Sequence, residues 1–206
     1  MDTGTRQDFS HLFSLYLAIG IGVAIIVFGA VGFAIWRYRA GTGRRPSRVA
    51  EKNKLEAGVA VAITLIVAFL VFRTFTVEAR EDNAPKEATT IDVTAFQWGW
   101  RFVYPGQGVE VVGDSNHEPT FAVPGDEPVH FKLTSADVIH SFWIPGERFK
   151  RAAIPGRTNE FDLDFESEGS EEGLCTEFCG LRHSDMRFNV WVLSKASYRR
   201  WLAAHS

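Results

Sequence analysis

The sequence predicts a two-helix transmembrane hairpin followed by an all-β sandwich or barrel that ends in a short helix. Three observations carry this reading: two long apolar runs near the N-terminus, a basic block between them, and a later series of short segments alternating apolar and polar residues. A chain of 206 residues accommodates one domain with such an appendage and is short for two full domains.

The first run, Leu12 to Trp36, holds twenty-five residues without a charge. About 20 apolar residues cross a ~30 Å hydrocarbon core, so this segment spans with room to tilt. The second run, Ala57 to Phe72, is sixteen residues long. It becomes long enough when Arg73 snorkels and the stretch to Val77 is added. A cleaved signal peptide is the competing reading of the first run. Its length exceeds the usual apolar core of about 7–15 residues, and Arg6 is offset by Asp2 and Asp8. It also ends in Trp36-Arg37-Tyr38-Arg39, an interface anchor rather than a small-residue cleavage site. The expectation is a retained membrane unit over residues 1–76, with helices over about 12–36 and 55–75.

Charge orients the hairpin. Residues 37–54 hold seven Lys/Arg against the single acid Glu51, whereas residues 76–206 hold thirteen Lys/Arg against twenty-one Asp/Glu. By the positive-inside rule the 37–54 loop is cytoplasmic and both chain ends lie outside. The formal net charge of −3 averages these opposed parts away. Membrane lipid is thus an expected partner and nucleic acid is not. Without an N-terminal targeting segment, a prokaryotic plasma membrane is the expected location.

Residues 77–88 form a charged, proline-containing linker. Beyond it, over 89–206, come TIDVTAFQW, GVEVV, PTFAV, PVHFKLT, VIHSFWI, TNEFDLDFE and RFNVWVL. Period-2 runs bounded by Pro and Gly read as an antiparallel sandwich or barrel of about 110 residues. The tail, ASYRRWLAAH, is helical in pattern, and the acid run FDLDFESEGSEE reads as a solvated edge.

The chemistry concentrates in CTEFCGLRHSDM, residues 175–186, which holds both cysteines and the one methionine besides Met1, with His183 between. Three readings compete. A Cys175–Cys179 disulfide suits an oxidising compartment, but closes a tiny loop and leaves His183 and Met186 unexplained. Structural zinc more often uses other cysteine spacings and has no use for a thioether. Thiolate, imidazole and thioether together are the soft ligand set of copper electron-transfer sites. A second imidazole should then come from a neighbouring strand. His11 and His205 lie at the ends, His117 in a polar turn and His130 in an ordinary strand, which leaves His140 beside a Pro-Gly turn. A lone strand histidine is more often a satisfied core residue than a ligand. The surplus cysteine makes a two-metal site attractive, because each sulfur can bridge both ions.

These residues resemble cytochrome c oxidase subunit II. CTEFCGLRHSDM is similar to that family's C-x-E-x-C-G-x-x-H-x-x-M loop, which holds a dinuclear CuA centre. Gln97-Trp98-Gly99-Trp100, Asp137-Val138-Ile139-His140-Ser141 and Ile154-Pro155-Gly156-Arg157 agree in order, and with the helix pair the likeness covers nearly the whole chain. The resemblance implies a cupredoxin-like Greek-key domain. It implies two copper ions bridged by Cys175 and Cys179, with His140 and His183 binding one each. Met186 and the Glu177 carbonyl would be weak outer ligands. It also implies a magnesium site shared by the Glu177 side chain with subunit I, electron uptake from cytochrome c through Trp98, and a proton-path role for Glu56. Strand packing is the plainer reading of Trp98, and a snorkelling acid that of Glu56. Phe96, Ala152 and the residues after Glu56 depart from the family pattern, but no expected copper ligand does.

The function so implied is the electron-receiving subunit of a haem-copper terminal oxidase. A small donor such as cytochrome c would reduce it, and subunit I, with subunit III alongside, would reduce oxygen to water. The corresponding subunit of a nitric oxide reductase would share the copper domain. A quinol-oxidase subunit ordinarily lacks the ligands. A non-redox copper or zinc module is the alternative of another class. No C-x-x-C-H run occurs, so no c-type haem is expected in this chain.

Overall fold

The computed structural model describes residues 5–39, 52–81, 89–125, 127–165 and 167–206. Residues 40–51 of the basic loop predicted over 37–54, and residues 82–88 of the linker predicted over 77–88, lie outside the described residues. The chain divides into a helical unit, Ser10–Val77, and a second unit of Met1–Phe9 with Glu78–Ser206 that contains the β-domain.

Helices α1 (Thr5–Tyr38) and α2 (Asn53–Glu81) contain apolar spans over Phe9–Tyr38 and Asn53–Val77. Both run past the apolar cores predicted for them, because backbone hydrogen bonding continues into the polar flanks. Their apolar side chains, Ile26, Phe28, Leu65 and Phe72 among them, are exposed all round. Such a surface calls for a hydrocarbon solvent, in which a helix satisfies its own backbone. The Tyr16 hydroxyl donates to the Leu70 carbonyl and also pairs with the Thr74 hydroxyl, tying the helices together. At the start of α2 the Lys52 carbonyl accepts from the Leu55 and Glu56 amides, and the Glu56 carboxylate accepts the Lys52 N–H at 3.2 Å. A negative side chain here also suits the helix dipole.

Ten strands follow: β1 (Thr89–Phe96), β2 (Gly99–Tyr104), β3 (Val109–Asp114), β4 (Thr120–Pro124), β5 (Pro128–Ser135), β6 (His140–Ile144), β7 (Phe149–Ala153), β8 (Asn159–Asp164), β9 (Gly169–Cys175) and β10 (Arg187–Leu193). Helix α3 (Lys195–His205) closes the chain, its N-terminus capped by the Ser194 side chain, which accepts from the Ser197 N–H. One sheet has the order β3-β2-β1-β5-β8 and the other β4-β10-β9-β6-β7. The sandwich is as predicted, but the sheets are mixed: β1 pairs with β5 and β4 with β10 in parallel. Alternation reports which face of a strand is buried and carries no information on the direction of its partner. The chain leaves one sheet after β3, contributes β4 to the other, and returns as β5, so β5 lies parallel to β1.

Alternate residues fill the space between the sheets: Ile91, Val93 and Ala95 of β1 face the core, as do Val129, Phe131 and Leu133 of β5. Aromatics dominate. Phe142 stacks on Phe188 with centroids 4.8 Å apart, and Phe102 on Phe121 at 4.0 Å. The Tyr104 hydroxyl donates to the Ala122 carbonyl at 2.7 Å and accepts the Ala122 N–H at 3.0 Å, a direct tie from β2 to β4 across the sandwich. Strands β7 and β9 carry little sequence signal. FKRAA and GSEEGLC have weak strand propensity and form because β6 and β10 offer them partners.

Candidate metal centre

The centre lies at one end of the sandwich, where three connections converge. His140 opens β6 and is fully buried; Cys175 closes β9 and faces β6, in register with Phe142. The loop from Cys175 to Met186 links the antiparallel pair β9 and β10, and the Cys175 N–H donates to the Met186 carbonyl at 3.0 Å. A short 3-10 turn, His183–Asp185, tightens the loop. The two-residue turn Gln97-Trp98 between β1 and β2 covers it from the other sheet. The Gln97–Trp98 peptide is cis.

The donors pair off. Cys175 Sγ lies 3.9 Å from His140 Nδ1, and Cys179 Sγ 3.6 Å from His183 Nδ1. The two sulfurs are 3.9 Å apart, and both cysteines are free and buried. Met186 Sδ is 3.9 Å from Cys179 Sγ, while the Glu177 carbonyl is 3.3 Å from Cys175 Sγ. Each thiol therefore has one imidazole and one weaker donor beside it. Glu177 itself is exposed. The donor atoms of His140, Cys175 and Cys179 all lie within 4.8 Å of one another. Among the residues singled out in the sequence, His140, Cys175, Cys179, His183, Met186, Trp98 and the Glu177 carbonyl come together. Glu56 belongs to the helical unit, where its carboxylate caps α2.

The electrostatics of the centre favour a bound cation. Burial disfavours ionising Cys175, but hydrogen bonds from His140 and from the Ser141 and Glu177 backbone outweigh it and bring the thiol down to about 6. Burial, and then the charge of Cys175, push Cys179 up to about 12. Burial works against charging His140, yet its bonds to Cys175 and Asp137 raise it above the ordinary imidazole value. Two thiolates this close do not both ionise without a cation between them. A soft cation bound by sulfur and imidazole fits the donor set, and a pair of them matches its pairing.

Four residues around the centre escape a search for ligands. Asp137 Oδ1 holds His140 Nε2 at 2.9 Å, which leaves Nδ1 for the sulfur side. Burial raises the Asp137 carboxyl, but the bonds from His140, Gln97 and Val138 prevail and hold it below the usual carboxylate range. Gln97 Nε2 and Trp98 Nε1 both donate to the Cys179 carbonyl, at 2.7 and 3.3 Å. Arg182 Nη1 reaches Ser115 Oγ at 2.8 Å and Asn116 Oδ1 at 2.7 Å, clamping the ligand loop to the turn after β3. Gly180 leaves room for the Trp98 ring. Asp137, three residues before a candidate histidine, was legible as a carboxylate partner; the others depend on tertiary approach.

Two mixed sheets closed over a buried thiolate–imidazole–thioether cluster define a cupredoxin-like domain, here carried on an apolar helical pair. A family model of the cytochrome c oxidase subunit II periplasmic domain matches residues 111–192. A probable cytochrome c oxidase subunit 2 of Streptomyces avermitilis is 30% identical over 246 residues, covering 98% of this chain and 77% of that one. The periplasmic domain of subunit II of the Bradyrhizobium japonicum cytochrome oxidase superposes with a TM-score of 0.55 and 30% identity, over 60% of this chain and 96% of that one. A subunit II solved as a mixed disulfide intermediate with a thioredoxin-like protein gives 0.51 and 30%, over 60% and 94%. The chain belongs to the cytochrome c oxidase subunit II family, and its two candidate membrane helices with the periplasmic-domain match fit a membrane-anchored protein of bacteria.

Proposed function

We propose that this subunit receives electrons one at a time from cytochrome c and hands them to subunit I, where oxygen is reduced to water. The observation that carries the proposal is the pairing of each cysteine sulfur with one imidazole Nδ1, at 3.9 and 3.6 Å, around two sulfurs 3.9 Å apart. Cys175, Cys179, His140, His183, Met186 and the Glu177 carbonyl would hold two copper ions, which supply a one-electron couple when bound. The residues keep that site rigid. Asp137 fixes the His140 ring, Arg182 fixes the loop, and Trp100 packs beside His140 at 6.4 Å. Trp98, half-buried with its indole N–H on the Cys179 carbonyl, is the electron-accepting residue between donor and sulfur.

Partners follow from the surface. Phe178 and Leu181 are 81% and 90% exposed in the ligand loop, with Val138 and Ile139 nearby in sequence to His140. An apolar rim of this kind over a redox site suits coverage by the donor and by subunit I. The exposed Glu177 carboxylate would share a magnesium ion with subunit I, and subunit III would complete the assembly. Residues 37–54 face the cytoplasm, both chain ends lie outside, and Glu56 stands where protons enter from the inside. The two sulfurs are near enough to oxidise to a disulfide. A thioredoxin-like reductant, as in the mixed-disulfide relative, would hold them as thiols before copper loading.

Visible and electron paramagnetic resonance spectra of the full chain in detergent, loaded with copper, test the reading. The expected result is a purple species with one unpaired electron shared over two coppers. A blue single-copper spectrum, or a colourless protein with both cysteines oxidised, overturns it.

A further inference from the structure

The turn that carries Trp98 and the loop that carries His140 are brought together by strand direction. Strands β1 and β5 run parallel in a register that pairs Thr89 with Val129 and Ala95 with Ser135. Continuing that offset of forty past the strand ends sets Gln97 beside Asp137, and the Gln97 N–H donates to Asp137 Oδ2 at 2.6 Å. The other oxygen of the same carboxylate, Oδ1, accepts from His140 Nε2 at 2.9 Å and from the Val138 N–H at 2.6 Å. Ser135, itself buried, accepts the Asp137 N–H at 3.3 Å and donates to the Val138 carbonyl at 2.5 Å, which holds the carboxylate in place. A single side chain thus grips the turn of Trp98 with one oxygen and the ring of His140 with the other.

We infer that Asp137 is a positioning residue for electron uptake: it locks the Gln97-Trp98 turn to the ligand histidine and so sets the approach of the Trp98 indole to the Cys179 carbonyl. This rests on the proposed copper function for its kinetic consequence, but not for its structural one. A carboxylate is required because both oxygens meet donors. In Asp137→Asn the amide oxygen takes the Oδ1 position, where two donors converge, and the NH2 then faces the Gln97 N–H, so the turn is released.

Two measurements on the full chain in detergent decide the matter. Hydrogen exchange at the Gln97 amide reads the clamp without any metal. Asp137→Asn should accelerate it about tenfold in the copper-free chain, and Ser135→Ala should move it the same way by less. Stopped-flow reduction of the copper-loaded chain by cytochrome c reads the consequence. At saturating donor the limiting rate should fall about tenfold in Asp137→Asn, with copper content kept. In a Trp98→Phe background the same change should cost little more, since both act on one step. An effect confined to the half-saturating donor concentration, with the limiting rate and Gln97 exchange unchanged, would make Asp137 a docking charge and overturn the inference. If wild-type protein gives no two-copper spectrum, the proposed function falls, and unchanged Gln97 exchange would separately overturn the clamp.

Discussion

Gly180 follows Cys179 with a φ of 120°, a conformation that L side chains rarely adopt. A Cβ there would stand 3.1 Å from Gln97 Nε2 and 3.2 Å from two atoms of the Trp98 indole. Both the backbone and the close approach of Trp98 require glycine. Gly180→Ala should destabilise the β-domain by about 1–3 kcal/mol and displace the indole from the Cys179 carbonyl. Thermal melting and Trp98-dependent electron uptake read the two effects, and a melt unchanged from wild type would contradict the strain. Trp98→Phe keeps an aromatic ring but loses the N–H that meets Cys179. Its copper spectrum should match wild type while electron uptake slows by about 10-fold or more, measured by stopped flow. Trp98 and Trp100, two residues apart, do different work. Trp100 is fully buried against Phe142 and Phe188, so Trp100→Ala should cost about 3–5 kcal/mol of stability.

At the scale of elements, the sandwich is tied across its two sheets by the buried Tyr104 as well as by packing. Removing the Tyr104 hydroxyl leaves the Ala122 N–H and carbonyl without it, so Tyr104→Phe should cost about 1–3 kcal/mol by chemical or thermal unfolding. Tyr198 of α3 has its phenol pushed up to about 12, first by burial and then by the charge of Glu127, against a hydrogen bond to Thr89. Burial likewise raises Tyr104. A phenol whose folded pKa lies above its unfolded value of 10.0 stabilises the fold below that value, and the contribution is lost as pH rises through the folded one. The β-domain should therefore lose stability between pH 10 and about 12, and Tyr198→Phe should flatten that loss. Melts across this range check it; a slope unaltered by Tyr198→Phe would place the alkaline sensitivity elsewhere.

For the whole molecule, charge separates the two ends of function. Residues 76–206 carry thirteen Lys/Arg against twenty-one Asp/Glu, a field that attracts a basic donor. Reduction by a basic cytochrome c should slow as ionic strength rises, because the Debye length contracts to about 8 Å at physiological salt. A flat salt dependence would leave docking to the apolar rim of Phe178 and Leu181 and remove the steering, without touching the copper assignment. Orientation is checked apart from activity. An epitope at the N-terminus should be reached by antibody in intact spheroplasts, and one inserted in the 37–54 loop should be reached only after lysis.

The sequence by itself determined the fold class and the kinds of donor gathered in the ligand loop. Two uncharged runs of membrane length, period-2 strands and a cluster of sulfur around His183 are local patterns, and local patterns survive being read along a line. Among the six histidines position singled out His140 only as a candidate, and its expected ligand role came from the family resemblance. The tertiary structure alone decided the rest. No Gly or Asn marks the Gln97-Trp98 turn, so the segment read as strand up to Trp98, and the electron-uptake role of Trp98 came from the family resemblance rather than from the turn. The parallel pairing of β1 with β5 has no signature in alternation, and it is this pairing that sets Asp137 beside Gln97. Arg182 meets Ser115 and Asn116 across more than sixty residues of chain. Residue identity states what a side chain can do; which groups it meets depends on strand order and direction, and those are settled only when the two sheets close over their core.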